Sequence, residues 1–424
     1  MDLANALCSL ASEPRFPTIR EIDARVGALA RAFPSRVQAE TIGLSREGRP
    51  LHQLTVGSGA RHAVVIGMPH PNEPSGALGA LGLAELLSRD DALREGLGLT
   101  WHILPCADPD GGVLNESWFA GPFSRQSYAG GIYRPPRNVD FEWTFHRSDL
   151  AEPGLPPIPE TRAVMGLLDD VRPELLVSMH NTEAGGLYAN VTEAYPSIVS
   201  GFRETSRLTG LPVDQGFPEA PADILAPGIF HEKPLLEGGV MISSTDYAAK
   251  YGTFGVVVEA PLWNVPSVAD TCLTQTTAAQ LYGSIEKERN EVRGEYFGWL
   301  ERLDRHTHLD TARWRAVHAG SEHVAQVWHP PVDAGQRLTV AEVSTVKRFR
   351  DLERLRLAGH IVAAIADSPE CDNESGQAVQ RAATVAIERW VGTAITGVFC
   401  GLEASVAAHV GIALASAKAL AGRS

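Results

Sequence analysis

Cysteine is scarce in this chain. Five are scattered along it (Cys8, Cys106, Cys272, Cys371 and Cys400), and none forms a CxxC pair. So sparse and odd a set excludes a disulfide framework and fits a reducing compartment. Basic charge is also short: 37 lysines and arginines face 51 acids, a formal net charge of −14. That balance argues against non-specific binding to nucleic acid or anionic membranes. The first residues, Met1-Asp2-Leu3-Ala4, lack the basic start and apolar core of an export signal, so a cytoplasmic protein is expected. A long uninterrupted apolar run is missing too. The span from Trp390 to Ala417 is broken by Glu403 and His409, which predicts a buried helical pair or a homo-oligomer contact through the C-terminal helices rather than a membrane span.

What is present is ordinary for a globular protein: 44% hydrophobic and 21% charged residues. At 424 residues, one large domain or two are expected. Helical periodicity runs from about residue 17 to 33 (Ile19, Ile22, Val26, Leu29), and strands are predicted at Val37–Leu44 and Leu51–Gly57. Further strands are predicted at Ala63–Gly67, Leu99–Pro105, Glu174–Met179 and Phe254–Val258, with helices at Ala77–Leu87 and Thr161–Val171 between them. Strands alternating with helices predict an α/β fold, a mixed sheet flanked by helices on both faces. After about residue 270 the pattern turns helical, with helices predicted at Thr274–Leu303, Arg313–Val327, Leu338–Ile365 and Val379–Leu420. The expected division is a catalytic domain over 1–290 and a helical C-terminal region over 291–424. From Asn115 to about Pro159 the chain is rich in Gly, Pro, aromatics and Arg with little periodicity, as functional loops are.

Three apolar strands end on chemistry. Ala63–Gly67 leads into Pro69-His70-Pro71-Asn72-Glu73, where an imidazole and a carboxylate three apart can share one metal ion. Glu174–Met179 delivers His180, and Phe254–Val258 delivers Glu259. In α/β sheets, sites form where strands end. Two His, one Glu and an open position make a catalytic zinc set. Hydrolysis near neutral pH then needs a carboxylate to take a proton from the attacking water, and Glu259 is the candidate. An oxyanion and an anionic substrate both call for arginine, and the irregular stretch offers Arg125, Arg134 and Arg137. The competing reading of each residue is bland: a turn histidine, a core histidine, a Glu emerging from its strand, a solvated arginine.

In order along the chain, these residues resemble the zinc carboxypeptidase family (carboxypeptidase A type, with its bacterial and succinylglutamate desuccinylase-like relatives). Pro34-Ser35-Arg36-Val37 and Ile42–Leu51 are similar to its N-terminal segment, and Pro69–Gly76 to its metal motif His-Gly-Asn-Glu-Pro, with Pro71 in place of Gly. Asp108-Pro109-Asp110-Gly111 resembles its Asn-Pro-Asp-Gly turn, Ser178–Thr182 the segment of its second His, and Val258–Pro261 that of its base. The resemblance spans roughly residues 16 to 265. It implies one zinc per chain on His70, Glu73 and His180, with Glu259 as general base and acid. The family's Asn-Arg-Asn-Phe motif grips the substrate's terminal carboxylate. Matching Arg137-Asn138-Val139 to it makes Arg137 the anchor beside Asn138, with Pro136 where the family has Asn. A second register matches Val139-Asp140-Phe141 to the family's Val-Asp-Leu, leaves Glu142-Trp143 in place of Asn-Arg, and abolishes the anchor. The first is preferred because it keeps the arginine. For the oxyanion, Arg125 fits best by order and Arg134 second; Asn181, beside His180, joins Arg134 among expected substrate contacts.

The function expected is therefore zinc-dependent amide hydrolysis, removing a C-terminal amino acid from a peptide or amino-acid conjugate. An N-acyl amino acid deacylase or amidase on the same fold is the alternative within enzymes. A non-catalytic binding protein is the alternative outside them.

Overall fold

The structure, a computed structural model, describes residues 2–193, 195–219, 222–232, 242–303, 309–323, 332–395 and 397–421. Nine described strands form one mixed sheet: β1 (Val37–Leu44), β2 (Pro50–Val56), β3 (Arg61–Gly67), β4 (Leu99–Leu104), β5 (Leu175–His180), β6 (Tyr188–Val191), β7 (Ala222–Ala226), β8 (Ile229–Glu232) and β9 (Phe254–Glu259). Their spatial order is β1-β2-β4-β3-β5-β9-β6-β8-β7. The centre, β4-β3-β5-β9, is parallel, and β2 and β6 flank it antiparallel. Both faces of those central strands are buried, which is why they read as near-continuous apolar runs rather than alternating ones.

Alternate residues of the parallel strands feed two cores. Val65, Val177 and Val256 pack with the helices Ile19–Ala32, Ser75–Arg89, Pro196–Thr209 and Leu402–Ala421 on one face. Val64, Ile66 and Leu176 pack with the helix Pro159–Val171 and Tyr247 on the other. The first helix starts on a capping box in which Thr18 and Glu21 satisfy each other's backbone N–H groups.

The region after 290 departs from the expected division. Its last helix, Leu402–Ala421, is long and apolar enough to cross a membrane, but most of it is buried inside the protein. It packs between Ser75–Arg89 and Pro196–Thr209 in the sheet's own core, so the boundary at 290 does not separate it. Gly79 approaches His409 so closely that a Cβ there would lie 2.7 Å from the His409 Cβ. Most of this helix's apolar surface is buried within the chain, as the buried-pair expectation had it.

The helices Ala278–Leu303, Ala312–His323, Val340–Ala366 and Glu374–Thr393 enclose a second core around Tyr296, Trp299, Trp314, Ile361 and Trp390. The predicted helix Val379–Leu420 is thus two helices, with residues 394–401 between them, and the predicted end of Arg313–Val327 lies outside the described residues. The stretch 115–159 also holds more structure than its composition indicated. Asp108 caps a helix at Pro109–Phe119 through Gly111 N, and a short helix follows at Arg125–Gly131. Gly359, whose Cβ would stand 1.9 Å from Ala129 O, lets Val340–Ala366 lie directly on that short helix.

Candidate functional site

The carboxyl ends of β3, β5 and β9 meet at one place. At the exit of β3, Met68 takes a left-handed backbone conformation with φ of 48°, a geometry that costs about 1–2 kcal/mol in a non-glycine residue and turns the chain sharply. Two tight turns follow, Glu73 N bonding His70 O and Gly76 N bonding Glu73 O, before the helix Ser75–Arg89 begins. Gly76 is needed there, because a Cβ would lie 2.1 Å from Met179 O on β5.

His70, Glu73 and His180 converge with their ligand atoms within 4.8 Å of one another, all buried. Their rings and carboxylate are held from behind. Asn181 N and Arg134 Nη1 donate to the two Glu73 oxygens at 3.2 and 3.1 Å. Ser178 Oγ lies 3.0 Å from His180 Nε2, which fixes that ring's far nitrogen and leaves Nδ1 facing Glu73 Oε2 at 3.0 Å. His70 Nδ1 faces Asp140 Oδ1 at 3.2 Å without a well-aligned hydrogen bond among the described residues. Glu259 Oε1 stands 4.0 Å from His180 Nδ1.

These residues fit a zinc ion. Two imidazoles with one carboxylate are the ligand types zinc prefers, and here their ligand atoms converge in a buried place. Burial and Arg134 push His70 down and keep it neutral, as a ligand must be. Burial works to raise Glu73, but His70, His180 and Arg134 outweigh it and hold the group at about 2. Burial opposes charge on His180 as well, and Glu73 overcomes it; a divalent cation can take the place of that shared proton. Glu259 is pushed well above the carboxylate range by burial and by Glu219, Glu73 and Glu183.

The site opens into a cleft of about 290 Å³. A larger cavity of about 830 Å³ lies between the helices Ile19–Ala32 and Ser75–Arg89, away from every one of these groups. Of the expected arginines, only Arg134 reaches the cleft, where Glu73 and Asp140 hold it at 3.1 Å each. Arg125 lies elsewhere, at the start of its short helix near Tyr128 and Asp351, and does not line the cleft. Arg137 and Asn138 are exposed and do not line it either. Asn181 lines the cleft, but its amide is occupied: its Oδ1 accepts from Ser75 N and its Nδ2 donates to Ala260 O.

Asp140 sits against His70, and Glu142 and Trp143, which the second register sets opposite the family's Asn-Arg, line the cleft, whereas Arg137 and Asn138 of the preferred register do not. Reading the residues in sequence also missed Glu183, Glu219, Arg348 and Arg356. Arg348 and Arg356 come from Val340–Ala366, so the helical region after 290 forms one wall of the site. Both are committed to acids: Arg348 Nη1 to Asp214 Oδ2 at 2.6 Å, and Arg356 Nε to Glu183 Oε1 at 3.1 Å.

A mixed sheet thus brings a buried His-Glu-His cluster and a carboxylate together at the ends of its parallel strands, the groups a metal-dependent hydrolase uses. Residues 22–195 match the family model described as zinc carboxypeptidase. The matched segment holds His70, Glu73 and His180. Among solved structures it is similar to bovine thrombin-activatable fibrinolysis inhibitor bound to tick carboxypeptidase inhibitor, at 13% identity and a TM-score of 0.41, over 57% of this chain and 86% of that one. Carboxypeptidase A from Helicoverpa armigera gives 18%, 0.41, 62% and 70%. A metallo-carboxypeptidase from Pseudomonas aeruginosa gives 21%, 0.38, 57% and 60%. No curated protein matches the sequence.

Proposed function

We propose that the chain is a zinc-dependent amidase that cleaves an amide in a small conjugate without gripping a terminal carboxylate. The observation that carries this reading is the pair Glu142 and Trp143 in the cleft, with Arg137 on the surface. It favours the amidase alternative over release of a C-terminal amino acid, because each arginine among the described cleft residues is already paired with an acid.

His70, Glu73 and His180 would hold the zinc, which when bound would supply a Lewis acid and lower the pKa of the attacking water toward neutrality. Glu259 takes the water's proton on its carboxylate and returns it to the leaving nitrogen. Its raised pKa suits the second half of that task. Arg134, fixed by Glu73 and Asp140, is the guanidinium this cleft offers to a developing oxyanion. A non-catalytic binder has no use for a buried acid at the place of Glu259.

The test is turnover of paired amides that differ only in whether the leaving amine carries a free or an esterified carboxylate, with Glu259→Gln as control. The expectation is equal or better turnover of the esterified member and a loss of about 10²–10⁴ in kcat for Glu259→Gln. A strict requirement for the free carboxylate would restore the carboxypeptidase reading.

A further inference from the structure

Glu142 is 4% exposed, and one of its carboxylate oxygens is fully used: Oε1 accepts from Ser244 N at 3.0 Å and from Ser244 Oγ at 2.6 Å. The other, Oε2, is buried without a hydrogen-bond partner among the described residues, in a side chain that lines the cleft. A buried carboxylate oxygen left unpartnered is expensive, and nothing in the fold of this segment requires one. The Ser244 bonds set the orientation of the group, and its second oxygen is left unpartnered among the described residues in a side chain at the cleft wall.

The surroundings repeat the same preference. Trp143, half-buried, lines the cleft beside it, as do Ser243, Thr245 and Asp246. Thr245 Oγ1 lies 2.9 Å from Ser243 Oγ, and Asp246 Oδ2 accepts from Ser243 N and Oγ. A carboxylate oxygen awaiting a donor, an indole face and a second acid are what a protonated amine needs: a charge-assisted hydrogen bond, a cation–π contact and a negative field. A carboxylate would meet repulsion at the same spot.

We infer that this end of the cleft is a subsite for a cationic group, in which Glu142 and Trp143 bind an alkylammonium on the substrate. The inference rests on the amidase reading for its meaning, since it names the class of leaving amine: one that carries a second, protonated nitrogen. It does not rest on that reading for its test, which reads binding alone.

The probes are the benzoyl amides of diaminobutane, pentylamine and aminopentanoate, which present an ammonium, a methyl and a carboxylate on chains of matched length. Their affinities for the zinc-loaded Glu259→Gln protein are measured by calorimetry. The ammonium probe is expected to bind at least tenfold tighter than the methyl probe, and the carboxylate probe weakest. Glu142→Gln, which keeps the shape and the Ser244 contact, is expected to remove most of that preference. Trp143→Leu, at a half-buried position, is expected to lose a smaller part of it. Equal affinities for the ammonium and methyl probes, tighter binding of the carboxylate, or a preference unchanged in Glu142→Gln would overturn the subsite. If the ammonium preference stands while the natural sequence hydrolyses none of the three, the amidase reading fails and the cationic subsite survives.

Discussion

Arg356, on the helix Val340–Ala366, donates from Nε to Glu183 Oε1 at 3.1 Å, and Glu183 stands three residues beyond His180. The same carboxylate oxygen accepts from Tyr128 Oη at 2.9 Å and from Asn72 Nδ2 at 3.2 Å, and Asn72 lies between His70 and Glu73. One acid therefore ties the carboxy-terminal helical region to both ligand-bearing segments. The helix is a working wall of the site rather than an appendage.

Removing the arginine should show this. Arg356→Ala leaves the buried Glu183 charge with two neutral donors, and breaking a buried pair costs 3–5 kcal/mol when both partners are dry. Arg356 retains some exposure, so about 2–3 kcal/mol is expected in urea denaturation, together with weaker zinc binding. Arg356→Met combined with Glu183→Gln should recover much of the stability. A variant as stable as the parent, with unchanged zinc affinity, would mean the helix merely rests against the site.

The metal site gives the second prediction. His180→Ala should abolish binding of one zinc per chain in equilibrium dialysis. Ser178→Ala, which touches no ion and only frees the far nitrogen of His180, should weaken zinc by about tenfold, since such outer contacts are worth 10–100-fold. Chelation should lower the melting temperature, because zinc at 100 times its Kd adds about 2.7 kcal/mol to the folded state. Equal stability with and without chelator would count against a site formed in the native fold.

These groups differ in how far the sequence could expose them. His70 and Glu73 share one turn, and His180 and Glu259 each end an apolar run, so local pattern marked all four. Asp140 could not be separated from Arg137 in this way. Both registers of that stretch satisfy the local text, and the approach of Asp140 to His70 is a long-range contact that no local pattern shows. Arg348 and Arg356 were hidden for a different reason. On a long helix rich in charge they read as part of a solvated face, whereas their partners Asp214 and Glu183 lie 134 and 173 residues away. The sheet was legible because its parallel strands are apolar on both faces. That Leu402–Ala421 joins the sheet's core was not, because an apolar helix carries no mark of which core it fills.

Backbone proximity yields the third prediction. Gly76→Ala places a methyl 2.1 Å from Met179 O and 2.8 Å from Met68 N, where backbone rather than a flexible side chain must yield. Overpacking of this kind costs about 1–3 kcal/mol. Because Met179 precedes His180 on β5, the shift should also loosen the metal site. The expected result is a lower urea midpoint and a zinc affinity reduced by more than that of Gly98→Ala, a control far from the site whose Cβ would meet nothing within 4 Å but whose φ of 62° carries its own strain. Comparable zinc affinities in the two variants would show that β5 absorbs the methyl without moving His180.

Acid stability gives the last. His102, on β4, accepts from Gln53 Nε2 at its Nδ1 (3.1 Å), which leaves its Nε2 to donate to His62 Nδ1, also at 3.1 Å. Burial, with His62 adding to it, lowers its pKa to about 4. The unfolded residue titrates at its ordinary value of about 6.5. Between those limits the unfolded chain takes up a proton that the folded one refuses. The contribution is therefore fully present above pH 6.5 and is lost as pH falls toward 4. His102→Gln offers a donor and an acceptor and does not titrate. Relative to that variant, the natural sequence should lose about 1–2 kcal/mol between pH 6.5 and 4, the partial exposure of the ring limiting the figure. Urea midpoints at pH 7.0, 5.5 and 4.5 measure it. Two stability curves that run parallel over that window would place the proton uptake elsewhere, and His409, buried beside Ser75 and lowered to about 3, would be the next residue to substitute.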